Sequence, residues 1–141
     1  MENVIKLSKR KTLSVLVIGN NPMDLGLILD KLNQIKKTKL LTEIAFDMRS
    51  VADRLKHFSP SCILIDDNVG AAHLQQIYAL LRDHKKTALL PVTILKNNNT
   101  DSGCPSIHVW DYVLKQNWSA QSLITGLENA MLHRRHQHFY E

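Results

Sequence analysis

The sequence predicts a doubly wound α/β fold, a three-layer sandwich with a five-stranded parallel sheet between two layers of helices. Three observations carry this reading. The runs Ser14–Ile18 (SVLVI), Cys62–Ile65 (CILI) and Leu89–Leu95 (LLPVTIL) are apolar at successive positions and have the length of strands buried on both faces. Between them lie segments whose apolar residues recur every three or four positions, as on a helix with one buried side. Strand and helix patterns alternate along the chain, which is what parallel strands joined by helical crossovers require.

Each element follows in order. The first strand, Ser14–Ile18, stops at Gly19-Asn20-Asn21-Pro22. Asn21 is a good helix N-cap, Pro22 suits the first helical position, and Asp24 suits the positive end of the helix dipole. Leu25, Ile28, Leu29, Leu32 and Ile35 form one apolar stripe on the helix that follows. Thr42–Asp47 reads as a second strand, with a short helix from about Ser50 carrying Val51, Leu55 and Phe58, broken at Ser59-Pro60. The third strand, Cys62–Ile65, ends in Asp66-Asp67-Asn68. Gly70 then loosens the chain before a helix with Leu74, Ile77, Leu80 and Leu81. Leu89–Leu95 is the fourth strand and Val109–Leu114 the fifth. Ser119 can cap a last helix carrying Leu123, Ile124, Leu127 and Met131. Asn97–Pro105 (NNNTDSGCP) is rich in residues that break or compete with a helix, so the fourth helix is expected to be shortened or replaced by a loop.

Composition narrows the function classes. At 141 residues, 44% hydrophobic and 22% charged, the chain suits one globular domain and excludes a disordered tail, a collagen-like chain or a long coiled coil. No stretch approaches the roughly 20 apolar residues that cross a bilayer, and Met1–Lys11 lacks the apolar core of a secretory signal. Cys62 and Cys104 make no disulfide framework or metal spacing, so a cytoplasmic protein is expected. The net charge of +5 is concentrated in Lys6–Lys11 and His133–His138, read as solvated ends; nucleic-acid binding through them is the less favoured alternative. His133, His136 and His138 read as a frayed helix end rather than a metal site. Trp110 and Trp118 flank the fifth strand and suit either core packing or a partner surface. No nucleophile motif, glycine-rich phosphate loop or catalytic carboxylate pair is present, so no enzymatic activity is expected. GNNPMD lacks the hydroxyls that a flavodoxin phosphate loop needs.

In doubly wound sheets the ligand site lies beyond the carboxyl ends of the strands. Gly19, Asn20 and Asn21 fall there after strand one, and Asp66, Asp67 and Asn68 after strand three. Lys96 and Lys115 close strands four and five. With VLVIGNNPMDLGLILDKL, PSCILIDDN and DYVLKQ in these places, the chain resembles the CheY-like receiver domains of response regulators over roughly Leu13–Arg134. Residues 1–12 then form a basic extension and 135–141 a tail. The resemblance implies that Asp66 falls at the phosphorylated aspartate, Lys115 at the family's lysine and Tyr112 at its switch aromatic.

The departures from that family change the expected chemistry. Its two acidic residues after strand one, which hold magnesium, are Gly19 and Asn20 here. Its Ser or Thr after strand four is Lys96, and the proline after its lysine is Gln116. Phosphoryl transfer depends on charge neutralisation and positioning, so magnesium is expected to be held weakly, if at all, by Asp66 and Asn68, with Asp67 as a helper. Folded back, Lys96 would meet Asp66 together with Lys115. That gives either a permanent salt bridge standing in for the ion, which is the favoured reading, or a metal-free anion pocket; the remaining alternative is that Lys96 points into solvent. The sequence thus implies a stand-alone, degenerate receiver-like domain in two-component (phosphorelay) signalling. It would act by protein–protein interaction on a histidine kinase, a phosphotransfer protein or an output protein, or by homodimerisation. A phosphorylation-competent single-domain regulator, modified on Asp66, is the alternative.

Overall fold

A computed structural model describes residues 12–96 and 119–129, together with the main chain of 109–114. The elements are β1 (Thr12–Ile18), α1 (Pro22–Asn33), β2 (Lys39–Ala45), α2 (Met48–Leu55), β3 (Cys62–Asp66), a 3-10 turn (Asp67–Val69), α3 (Ala71–Asp83), β4 (Val92–Lys96) and β5 (Val109–Leu114). A helical segment follows over 120–129. The strands form one sheet in the order β2-β1-β3-β4-β5, with every neighbouring pair parallel. The expected α/β architecture is present. The Asn97–Pro105 segment expected to be a loop, Lys115, Trp118, the basic ends and the side chains of Trp110 and Tyr112 lie outside the described residues.

β3 runs through the middle, and all five of its residues are buried. A strand with crossover helices on both sides leaves no face for water, hence its unbroken apolar text. The sheet divides the interior into two apolar clusters. One packs Leu16, Ile18, Ile63 and Ile65 against Val51, Leu55, Leu74, Ile77 and Leu81 of α2 and α3. The other packs Val15, Val17 and Leu64 against Leu25, Ile28 and Leu32 of α1 and Leu123, Ile124 and Leu127 of the last helical segment. Cys62 lies in the second cluster, and burial pushes its thiol up to about 12, so it serves as a small core side chain.

Helix starts follow local chemistry. Asn21 Oδ1 accepts from the N–H groups of Met23 (3.0 Å) and Asp24 (3.1 Å), with Pro22 at the first helical position. Asn21→Ala should therefore lower stability by about 1 kcal/mol in urea unfolding, the usual value of a lost cap. α2 begins at Met48, before the expected Ser50, because Asp47 is the cap and Ser50 the third helical residue of a capping box. The Ser50 N–H and hydroxyl hold the Asp47 carboxyl below the usual carboxylate range.

Two strand boundaries also move. β2 starts at Lys39 rather than Thr42 and ends at Ala45, since its pairing with β1 extends back to Thr12↔Lys39. That pairing brings Thr12, placed by sequence in the extension, into β1. β4 starts at Val92 rather than Leu89. Thr87, 2% exposed, bonds through its hydroxyl to the Leu81 carbonyl, and the Leu90 N–H reaches back to the Thr87 carbonyl. These bonds curl Leu89 out to solvent, where it is 65% exposed.

Candidate functional site

Parallel pairing brings the carboxyl ends of β1, β3 and β4 to one edge of the sheet, with Ile18↔Ile65 and Asp66↔Leu95 in register. Three of the residues singled out by sequence gather there. Gly19 follows β1, Asp66 ends β3 and Lys96 ends β4. Lys96 is partly exposed and sits one residue beyond the Leu95 that pairs with Asp66. The main chain of β5 reaches the same edge through Lys96↔Leu114.

Asp66 is 1% exposed, a depth reached by few carboxylates without bonded partners. Its Oδ1 accepts the Asn68 N–H at 3.0 Å and so caps the 3-10 turn. Asp67 opens that turn and is partly exposed, while Val69 closes it in the core. Gly70 ends the segment at φ 91°, a left-handed conformation that glycine adopts without strain. It lets the turn pass directly into α3.

The side chain of Asn68 points the other way. Its Nδ2 donates to Asp24 Oδ2 in the first turn of α1. Asn68 therefore fastens the end of β3 to the start of α1, one bond by main chain and one by side chain. From sequence, Asp24 reads only as a complement to the helix dipole. No local signal reveals its second partner, which is 44 residues away.

Gly19 lies against Asp66 and Leu25. A Cβ built on it would stand 3.4 Å from Asp66 Cβ and 3.0 Å from Leu25 Cδ2, so any side chain here would extend directly beside Asp66. The Gly19 N–H donates to the Ala45 carbonyl at 3.1 Å, which holds the position in line with the strands. Asn20 next to it is exposed. Among the described residues, no three His, Cys, Asp or Glu side chains come together as a metal site would need.

No protein-family model and no curated protein matches the sequence. Solved structures do match. The N-terminal domain of a response regulator/sensory box/GGDEF three-domain protein from Carboxydothermus hydrogenoformans is 21% identical, with TM-score 0.68 over 88% of this chain and 98% of that one. A chemotaxis response regulator of Vibrio cholerae is 13% identical, with TM-score 0.69 over 85% and 99% of the two chains. The receiver domain of a sensor histidine kinase from Pseudomonas aeruginosa is 15% identical, with TM-score 0.71 over 85% and 98%. The chain has the receiver fold. At these identities the likeness establishes the fold alone.

The Pseudomonas receiver is described with a magnesium ion coordinated in its active-site cleft. The donor set of the present receiver fold does not suit that ion in the same way. A hard octahedral cation takes carboxylate and other oxygen ligands. Gly19 supplies none beside Asp66, Asn20 supplies at most a neutral amide, and Asp66 Oδ1 already accepts the Asn68 N–H while the Asn68 side-chain amide is turned to Asp24 Oδ2. Among the described residues, no helix is long and apolar enough to cross a membrane.

Proposed function

We propose that this receiver-fold domain works in two-component signalling as a protein-binding module whose acidic end has given up magnesium-dependent phosphorylation. It takes no part in catalysis. Its partners are signalling proteins of the circuit: a histidine kinase, a phosphotransfer protein or an output protein. The observation that carries the proposal is Gly19. A side chain at Gly19 would start 3.4 Å from Asp66 Cβ, and the position bears none, so it offers no carboxylate to share a cation with Asp66. Phosphoryl transfer is almost wholly a matter of positioning and charge neutralisation, and removing half of a cation site removes most of both.

Amide NMR spectra recorded while adding magnesium and then beryllofluoride, which mimics an aspartyl phosphoryl group, test this. The spectrum should stay unchanged at millimolar magnesium with or without beryllofluoride. Shifts at Asp66, Asn68 and Lys96 that need both additions would instead support phosphorylation on Asp66. In that event Asp66→Asn would abolish signalling, whereas under the present proposal it leaves partner binding intact.

A further inference from the structure

β2 is an edge strand of the sheet, and among the described residues no further strand pairs with it. Two bonds fix which way the β2 main chain faces. The Ala45 carbonyl accepts from Gly19 at the end of β1, while the Ile44 carbonyl accepts from Arg54 Nε of α2 at 3.0 Å. In a parallel pair, the N–H and C=O of one residue point to the same side and alternate residue by residue. Lys39, Leu41, Glu43 and Ala45 therefore bond toward β1. Leu40, Thr42 and Ile44 direct their main-chain groups outward, and Arg54 closes the outward row at Ile44.

We propose that this edge takes the β2 strand of a second copy of the chain in antiparallel pairing, with the two-fold axis at Leu41. An antiparallel hydrogen-bonded pair needs outward groups on both residues, so even-numbered residues must face even-numbered ones. With the axis at Leu41, Leu40 faces Thr42 of the second copy and Thr42 faces its Leu40, giving four main-chain bonds. Ile44, already held by Arg54, falls outside this set. The side chains then match. Leu41, 45% exposed, meets its own counterpart on the axis. Exposed Lys39 stands directly opposite partly exposed Glu43 of the second copy, and the pair is repeated by symmetry. These lie at the non-hydrogen-bonded positions, where opposed side chains approach most closely.

Charge complementarity in this one register argues for a second copy as the occupant. So does the placement of an exposed leucine on the axis. The association is isologous and closes at two copies, and its small extent makes it reversible.

Sedimentation velocity on the full chain, from micromolar to millimolar concentration, tests it. The sedimentation coefficient should rise toward that of a dimer. Leu41→Asp should abolish the rise, and Lys39→Glu should weaken association about tenfold by turning two attractions into two repulsions. Lys39→Glu combined with Glu43→Lys should restore it. A monomer at every concentration, or a dimer indifferent to Leu41→Asp, overturns the proposal. Amide exchange at Leu40 and Thr42 should slow as concentration rises. Protection independent of concentration would mean that a segment of the same chain covers the edge, and would also overturn it.

Discussion

Magnesium should stabilise Gly19→Asp and leave the parent chain unmoved. The substitution places a carboxylate beside Asp66, with a Cβ 3.4 Å from that of Asp66. Leu25 Cδ2, which would lie 3.0 Å from the new Cβ, belongs to the core cluster and must give by a few tenths of an ångström, a cost present with and without magnesium. In chelator, two like charges at a site where Asp66 is almost fully buried repel, and the variant should be less stable than the parent. A cation shared between the two carboxylates removes that repulsion. At free magnesium 100-fold above its Kd, binding to the folded state alone adds about 2.7 kcal/mol. Urea unfolding of both proteins, with magnesium and with chelator, reads this directly. A parent midpoint that rises with magnesium as much as the variant's would show that Gly19 is not what limits the site.

Leu64→Ala should lower stability by about 3 kcal/mol, within the range of roughly 2–5 for buried leucines. Leu64 is fully buried in the central strand, between Val17 of β1 and Thr93 of β4, and packs in the cluster with Ile28 and Leu123. Neighbours held by strands on both sides have little room to collapse into the cavity, which keeps the loss large. Against a typical total of about 5–15 kcal/mol, that is a large share. The urea midpoint should fall with the slope unchanged. Leu89→Ala is the control. That leucine is 65% exposed, and its truncation should move stability by no more than about 0.5 kcal/mol. Equal losses in the two variants would contradict the assignment of Leu64 to the core.

How much of this was legible in the sequence depended on whether the cause was local. The start of α1 could be read because Asn21, Pro22 and the stripe at Leu25, Ile28 and Leu32 act on one another within a few residues. β3 could be read because a fully enclosed strand has no polar position to confuse it. The fourth strand misled because Leu89 and Leu90 look like strand residues, and only the Thr87 turn, anchored six residues back at Leu81, removes them from it. The start of β2 was hidden by its place at the sheet edge. Lys39, Leu40 and Leu41 mix exposed and partly buried positions and carry no clear period. At the candidate site the gathering of Gly19, Asp66 and Lys96 followed from strand order. The bond from Asn68 to Asp24 did not, because the two residues meet only after β1 and β3 have paired.

On the proposed function, that bond has a consequence for how a signal could pass through this fold. A switch needs a segment with two resting places of similar energy, so that a chemical event can tip it from one to the other. The turn after β3 is fastened from two elements at once, through the Asn68 main chain to Asp66 and through its side chain to Asp24. On the proposed reading, the information then lies in copy number rather than in a covalent mark. Such a protein acts by titration: the cell sets how much is made, and the response follows the fraction of the partner it occupies.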